Sequence, residues 1–324
     1  MNRNISLDTI REAASIVYDV VVRTPLVRLD VPGVGADGPE IYLKLETLQP
    51  IGSFKIRGAY NAVRHLSQDR LAQGVWTVSA GNAAQGVALA ARRAGASCSV
   101  MVMDTAPETK LRSIERLGAT IVKRPYEDCW RTVEQHSSDL MTGQFVHPFD
   151  DDFFISGNGT IALEIIEDLP EVDAVIAPLG GGGLLAGIAA GMRELRPATR
   201  IYAAEPETAA PLSVSFEAGR ASVFDRWTTS FVDGAGGRSV LPTMWPLLKE
   251  LVAASIVVPL DEAAGAMKIV ADRVHVIMEG AAACAVAAAL SPQFIQHGHK
   301  KVVAVVSGGN IDLARFAQLT GSCK

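Results

Sequence analysis

The stretch VDAVIAPLGGGGLLAGIAAGMREL, residues 172–195, joins an apolar strand, four glycines and an apolar helix. Without side chains, residues 180–183 let several backbone N–H groups converge on one anion, and the helix adds the positive end of its dipole. No Lys-Ser or Lys-Thr pair follows and G-x-G-x-x-G is absent, which argues against a nucleoside-triphosphate loop and a dinucleotide signature. A phosphate monoester on a small cofactor fits best; the alternative is a tight turn without a ligand.

The same strand-then-helix order recurs along the whole chain. Continuous apolar strands, each followed by a helix, are typical of parallel sheets covered on both faces. The strand-like runs are 40–46, 74–80, 97–103, 119–125, 173–179, 200–206, 255–260 and 301–310. We therefore predict an α/β fold with two open, twisted, mainly parallel sheets. Residues 72–148 are predicted to form a small domain, and residues 1–71 with 149–324 a large one.

Composition narrows the class of protein. The chain has 324 residues and a formal net charge of −5, which argues against nucleic-acid or anionic-membrane partners. No apolar run is long enough for a transmembrane helix, and GAAACAVAAAL (280–290) is interpreted as a buried helix. The N-terminus lacks the apolar core of a signal peptide, and four widely spaced cysteines indicate free thiols. We expect a cytoplasmic protein.

Two further segments carry chemistry. In IGSFKIRGAY (51–60), Lys55 lies between a Gly-Ser turn and a helix, where a lowered pKa would allow its amine to bond a carbonyl carbon. In TVSAGNAAQG (77–86), Ser79, Gly81, Asn82 and Ala83 lie at a predicted helix N-terminus, where free N–H groups suit a carboxylate. Alone, each segment also fits a solvated lysine or an ordinary helix cap.

A serine completes the set. VVAVVSGGN (302–310) is a buried strand that ends at Ser307, and the carboxyl ends of parallel strands face the ligand crevice. Its hydroxyl can hydrogen-bond a pyridine nitrogen, although a plain strand-end turn explains this segment equally well. Together, the framed lysine, the phosphate cradle and the asparagine loop are the parts that pyridoxal phosphate requires.

Seven motifs resemble the fold type II pyridoxal-phosphate enzymes, and most closely the serine/threonine dehydratase and serine racemase branch. They are RTPLVRL (23–29), GSFKIRGA (52–59), SAGNAAQGVA (79–88), GNGTIALEI (157–165), PLGGGGLLAG (178–187), AAEPE (203–207) and SGGN (307–310). Their order and rough spacing match the family over nearly the whole chain. The resemblance implies a tryptophan-synthase-β-like fold with the cofactor between a large and a small domain.

The resemblance also implies roles for the matching residues. Lys55 would carry the cofactor and remove the substrate's α-proton, with Phe54 packed beside the cofactor ring. Asn82 would bond the ring hydroxyl, and Ser307 the pyridine nitrogen. The phosphate would be held by the amides of Gly180, Gly181, Gly182, Gly183 and Leu184. The substrate carboxylate would bind the loop of Ser79, Ala80, Gly81, Asn82 and Ala83.

Three positions depart from the branch. Racemases carry a second serine, the acid/base of the opposite face, where this chain has Ala80, so dehydration is favoured over racemisation. Ala83 stands where the common loop has histidine, and Ile51 where threonine is frequent. The smaller and more apolar side chains predict a substrate with a β-substituent bulkier than methyl, such as an aryl group.

Further expectations concern metal and assembly. The branch implies a divalent cation such as Mg²⁺ at Glu205 and the Ala209 carbonyl, but Pro211 occupies a later acidic position and Glu207 is out of register. Hard cations are bound by several oxygen ligands, so a site with one carboxylate would bind a cation weakly. The resemblance implies a homodimer. The long C-terminal regulatory region of feedback-controlled threonine dehydratases is absent, which favours a catabolic enzyme.

The sequence thus predicts a pyridoxal-phosphate-dependent lyase that converts an L-3-hydroxy amino acid to a 2-oxo acid and ammonia. A racemase or a β-replacement synthase of the same fold is the alternative enzyme. A cofactor-binding regulatory homologue is the non-enzyme alternative, which a damaged Lys55 or glycine loop would have favoured.

Overall fold

The structure, a computed structural model, describes residues 3–31 and 38–321. The strands are β1 (Leu26–Leu29), β2 (Glu40–Leu45), β3 (Val75–Val78), β4 (Cys98–Met103), β5 (Thr120–Arg124), β6 (Gln144–Phe145), β7 (Ala174–Pro178), β8 (Arg200–Pro206), β9 (Ala254–Val258) and β10 (Lys301–Val306). The helices of the first half are α1 (Leu7–Val17), α2 (Lys55–Arg64), α3 (Gln68–Ala72), α4 (Asn82–Ala94), α5 (Glu108–Glu115), α6 (Tyr126–Gln135) and α7 (Asp152–Asp168). Those of the second half are α8 (Gly183–Leu195), α9 (Pro211–Ala218), α10 (Trp245–Leu251), α11 (Leu260–Val274), α12 (Gly280–Leu290), α13 (Pro292–Ile295) and α14 (Leu313–Gly321).

The larger sheet has six strands in the order β1-β2-β10-β7-β8-β9. All neighbours run parallel except β1, which pairs antiparallel with β2. Its central strands β7 and β10 are almost wholly apolar and buried, as expected where helices cover both faces. On one face lies α12, whose residues 280–289 are all buried, which confirms the predicted buried helix.

The smaller sheet has four parallel strands in the order β5-β4-β3-β6. Its strands span residues 75 to 145, which lie within the predicted small domain. Helix α2, which lies outside that range in sequence, packs its apolar face into the core around this sheet through Ile56, Ala59 and Val63. The predicted α/β class with two mainly parallel sheets is confirmed, while the domain boundaries stay a prediction.

Helix α2 lies between α4 and α7, and small residues bring it close to α7. An added Cβ at Gly58 would lie 2.2 Å from the Phe154 ring, and one at Gly157 would lie 2.4 Å from the Arg57 carbonyl oxygen. Since real Cβ atoms do not approach so closely, both positions require glycine. The close contact fixes α2, and with it the lysine at its first position, against the larger part of the molecule.

A buried ion cluster anchors the same helix. Arg57 donates to both Glu46 oxygens at 2.8 Å and to the two Glu164 oxygens at 2.7 and 3.0 Å. Lys44 pairs with Glu164 at 2.7 Å, and Thr24 donates to Glu46 at 2.6 Å. All four charged side chains are inaccessible to solvent. Two cations and two anions balance in charge, which is what allows such a cluster to be buried.

Candidate active site

A cavity of about 350 Å³ lies between the two sheets, at the carboxyl ends of their strands. Every residue predicted to bind the cofactor or the substrate carboxylate lines it. They are Phe54, Lys55, Ser79, Ala80, Gly81, Asn82, Ala83, Gly180, Gly181, Gly182, Gly183, Leu184 and Ser307. Strand-to-helix junctions of both sheets therefore meet at one place, as the sequence predicted; the role of each residue stays a prediction.

Lys55 is the first residue of α2 and points into this cavity. Its Nζ donates to the Pro148 carbonyl at 2.7 Å and lies 5.2 Å from the centroid of the Phe54 ring and 5.3 Å from that of Phe154. Burial lowers the pKa of the Lys55 amine to about 8, against a partial opposing effect of Glu279. The amine therefore has a much larger neutral, nucleophilic fraction near neutral pH than a solvated lysine.

The glycine loop follows β7 and leads into α8. No acceptor within the described residues pairs with the backbone N–H groups of 180–185, as expected at a helix start. Gly182 has φ +92°, and an added Cβ at Gly181 would lie 2.1 Å from the Phe149 ring. Side chains are thus excluded from a loop whose free N–H groups face the cavity. This is a ready-made anion site.

The asparagine loop precedes α4 on the smaller sheet. Gly81 N–H donates to the Ser79 hydroxyl at 3.1 Å, so this amide is used within the loop. No described residue accepts a hydrogen bond from the N–H groups of residues 82–84, the first of the helix. An added Cβ at Gly81 would have nothing within 4 Å, so the space in front of the loop is open. The three free amides suit a carboxylate.

Among the polar side chains of the cavity that were not predicted, two hydrogen-bond Asn82. Glu279, just before α12, accepts a hydrogen bond from Asn82 Nδ2 at 2.8 Å, and Asn310, after β10, donates to Asn82 Oδ1 at 2.7 Å. Burial raises the pKa of Glu279 to about 7. Asn310 lies in the quoted SGGN motif, whereas Glu279 had only its position before an alanine-rich helix as a signal. Ser307 lines the cavity beside them and is 2% exposed.

An apolar wall, also not predicted, lines part of the cavity. It consists of Met103, Trp130, Val133 and Phe149. The Trp130 indole N–H donates to Glu134 at 2.9 Å, so its polar atom is satisfied away from the cavity. These residues come from β4, α6 and the segment after β6, which are far apart in sequence, so no local pattern identified them.

The HPFD segment (147–150) is held by its own histidine. Its Nδ1 accepts the N–H groups of Phe149 at 3.3 Å and Asp150 at 2.8 Å, and Nε2 donates to the Val133 carbonyl at 3.1 Å. Burial lowers the pKa of His147 to about 3, so the ring is neutral. The turn thereby presents the Pro148 carbonyl to the buried lysine and the Phe149 ring to the wall.

Glu205 and Ala209, the predicted cation ligands, lie outside the cavity lining. Glu205 accepts the N–H groups of Leu212 at 2.8 Å and Ser213 at 2.9 Å, and the Ser255 hydroxyl also donates to it. Both carboxylate oxygens therefore already have protein partners at the start of α9. Within residues 3–31 and 38–321, no three His, Cys, Asp or Glu side chains are grouped to hold a metal ion.

The residues present fit pyridoxal phosphate. A buried amine with a lowered pKa, unpaired N–H groups on a loop that admits no Cβ, and a serine at a strand end surround one cavity. The loop would hold the phosphate, Lys55 the aldehyde carbon, and Ser307 the ring nitrogen. The fold and site thus define a cofactor-dependent α/β enzyme.

Comparison with known proteins gives the family. The model of the family "Pyridoxal-phosphate dependent enzyme" matches residues 17–308. L-threonine ammonia-lyase of Thermotoga maritima is 39% identical over 95% of this chain and 76% of its own. Catabolic L-threonine dehydratase of Staphylococcus aureus is 37% identical over 97% of this chain and 91% of its own. This chain therefore belongs to the pyridoxal-phosphate-dependent enzymes, in the fold type II serine/threonine dehydratase-like branch.

Solved structures agree with this family. Maize serine racemase has a TM-score of 0.88 and is 33% identical over 97% of this chain and 96% of its own. Threonine deaminase isoform 2 of Solanum lycopersicum has a TM-score of 0.87 and is 32% identical over 99% of this chain and 96% of its own. The predicted family and enzyme class, a pyridoxal-phosphate-dependent lyase, are confirmed. No helix in the described part of the chain is long and apolar enough to span a membrane.

Proposed function

We propose that this enzyme dehydrates L-3-hydroxy amino acids, releasing a 2-oxo acid and ammonia. The observation that carries the proposal is the buried Lys55 amine, with its lowered pKa, inside a cavity that holds both anion loops. The relatives named for threonine ammonia-lyase and dehydratase activity support it, because they match along almost the whole chain.

Different residues of the cavity carry out different parts of the reaction. When bound, pyridoxal phosphate supplies the electron sink that makes the substrate's α-hydrogen acidic. The free amides at the start of α4 bind the substrate carboxylate and orient the α-hydrogen toward Lys55. The Lys55 amine then accepts that proton. The β-hydroxyl leaves together with a proton as water, and the released enamine takes up one water molecule to give the 2-oxo acid and ammonia. Phe54 and Phe149 exclude solvent from the reacting atoms.

Racemisation is the second candidate, because serine racemases are among the similar structures. It requires a second proton carrier on the face opposite Lys55. Ala80, in the asparagine loop, lines the cavity and has no titratable group. The absence of an acid at this position favours elimination. Chiral analysis tests it: purified enzyme with L-serine should release pyruvate and ammonia equally, whereas D-serine formation without release would contradict the proposal.

The preferred β-substituent is proposed to be bulky and aromatic. Ala83 lies at the start of α4, where a histidine side chain would occupy cavity space, and Met103, Trp130 and Phe149 offer apolar surface nearby. Aromatic side chains contact rings favourably in offset or edge-to-face arrangements. A methyl group, as in threonine, would fill little of this volume and gain little from it.

Substitutions of Ala83 and Trp130 test this preference. Ala83→His and Trp130→Ala should each lower kcat/KM for a β-aryl L-serine at least tenfold relative to L-threonine, because one fills the subsite and the other removes its wall. Initial rates of 2-oxo acid release measure both. Ala94→His, the same change at the far end of α4, is the matched control and should leave the ratio unchanged. An unchanged ratio in Ala83→His and Trp130→Ala would refute the aryl preference.

Homodimer formation, a cytoplasmic location and a divalent cation at Glu205 and Ala209 also remain proposals. Sedimentation of the purified protein tests the first, and cell fractionation the second. For the third, activity after removal of divalent ions and after readdition of Mg²⁺ should differ; equal activity in both would refute a cation requirement.

A further inference from the structure

Both the nitrogen and the oxygen of the Asn82 amide form hydrogen bonds to residues that were not predicted to belong to the site. Its Nδ2 donates to Glu279 Oε1 at 2.8 Å, and its Oδ1 accepts from Asn310 Nδ2 at 2.7 Å. Asn310 Nδ2 also donates to the Ile51 carbonyl at 2.7 Å. Only the nitrogen of the Asn310 amide can donate to the Ile51 carbonyl, so this bond fixes which way the Asn310 amide is turned. Because Asn310 then donates its second hydrogen, Asn82 must turn its oxygen toward Asn310.

Glu279 is buried and closely packed. It is 6% exposed, and its own N–H donates to the Gly308 carbonyl at 3.0 Å. An added Cβ at Gly308 would lie 2.7 Å from Glu279 Oε1, so a side chain at position 308 would collide with this carboxyl group. Among the described residues, no cationic nitrogen lies within 4.0 Å of it. Lys110 and Lys55 face this carboxyl group and favour its charged form only at longer range. A buried acid without a direct cation partner is costly, which indicates a use for its acceptor oxygens.

The hydrogen bonds from Asn82 to Glu279 and Asn310 connect the two sheets. Asn82 begins α4 on the smaller sheet, whereas Glu279 precedes α12 and Asn310 follows β10, both on the larger sheet. Each of the two contacts therefore ties the asparagine loop to the part of the molecule that carries the glycine loop and Ser307. The asparagine amide is positioned from the opposite wall of the cavity.

We propose that Glu279 and Asn310 are positioning residues that orient the Asn82 amide toward the cofactor. With one Nδ2 hydrogen donated to Glu279, the second faces the cavity and is available to the ring hydroxyl oxygen of pyridoxal phosphate. The role rests on the cofactor site and is independent of which amino acid is the substrate. Burial raises the pKa of Glu279 to about 7, so this acceptor is partly neutral near physiological pH.

The test measures binding of pyridoxal phosphate to the apoprotein and the pH dependence of the bound cofactor's absorbance, both without substrate. Asn310→Ala should raise the dissociation constant at least fivefold. Asn310→Asp should raise it at least tenfold, because a carboxylate cannot donate and drives the Asn82 amide to rotate. Gln144→Ala is the matched control: the Gln144 amide donates to Gln73 Oε1 at 2.8 Å outside the cavity, and its loss should change the constant less than twofold.

Glu279 is tested by its own pair of variants. Glu279→Gln keeps one acceptor oxygen and should bind the cofactor within threefold of wild type. Glu279→Leu removes both oxygens, and it should weaken binding at least tenfold and shift the midpoint of the absorbance titration. Wild-type binding and titration in Asn310→Asp and Glu279→Leu would overturn the proposal. Should Glu279→Leu fail to fold, the exposed Asn310 still decides, because its variants leave the buried carboxyl intact.

Discussion

At the scale of single residues, the central fact is that burial makes Lys55 reactive. A solvated lysine has a pKa near 10.4, so it is almost wholly protonated at neutral pH. Desolvation lowers the pKa of Lys55 to about 8, and the Pro148 carbonyl accepts its hydrogen bond at 2.7 Å. The amine is thus held in place and partly neutral, which suits both the attack on an aldehyde and the removal of a proton.

The pH dependence of cofactor capture by the apoprotein follows from this pKa. Only the neutral amine attacks the aldehyde, so the association rate should rise with pH and level off above about 8. An unshifted lysine would keep rising beyond pH 10. Stopped-flow absorbance after mixing with pyridoxal phosphate measures the rate, and Lys55→Ala serves as the blank. A rate that still climbs steeply between pH 9 and 10 would contradict the assigned burial.

At the scale of secondary-structure elements, α2 is the part that positions the lysine. Arg57, two residues after Lys55, connects the helix to Glu46 beyond β2 and to Glu164 on α7. Two of the motifs that resemble the family therefore meet in one buried ion cluster, with Thr24 of a third bonded to Glu46. The residues of this cluster hold α2 in place, whereas the chemistry is carried out by neighbouring residues such as Lys55.

Removal of the Arg57 charge should cost far more than removal of a surface charge. Arg57→Met leaves two buried carboxylates with too few partners, and the free energy of unfolding should fall by about 3–5 kcal/mol. Arg23→Met is the control, because its pair with Glu167 is about half exposed and worth at most about 1 kcal/mol. Urea denaturation of the apoproteins measures both. Similar losses in the two variants would contradict a structural role for the cluster.

The strands and loops also differ in how well the sequence predicts them. The eight apolar runs correspond to strands, and the two anion loops were found because glycines and helix starts are local signals. Strands β1 and β6 are short and carry no clear pattern, and they were missed. The apolar wall, Glu279 and the ion cluster were missed for another reason: their members are adjacent only after folding, and periodicity says nothing about which distant side chains meet.

At the scale of the whole molecule, the cavity belongs to neither sheet alone. The glycine loop and Ser307 lie on the larger sheet and the carboxylate loop on the smaller, while α2 contacts both. Lys110 on α5 pairs with Asp233 across the same cavity. Any change in the distance between the sheets therefore changes the site, which makes closure around a bound substrate an expected part of the reaction.

The most direct test of the account is product analysis on purified, pyridoxal-phosphate-loaded enzyme. A β-aryl L-serine and L-threonine would be compared, with Lys55→Ala as the blank. We expect a 2-oxo acid and ammonia in equal amounts from both, with a higher kcat/KM for the aryl substrate and no release by Lys55→Ala. Inversion at the α-carbon without ammonia release, or undiminished release by Lys55→Ala, would contradict it.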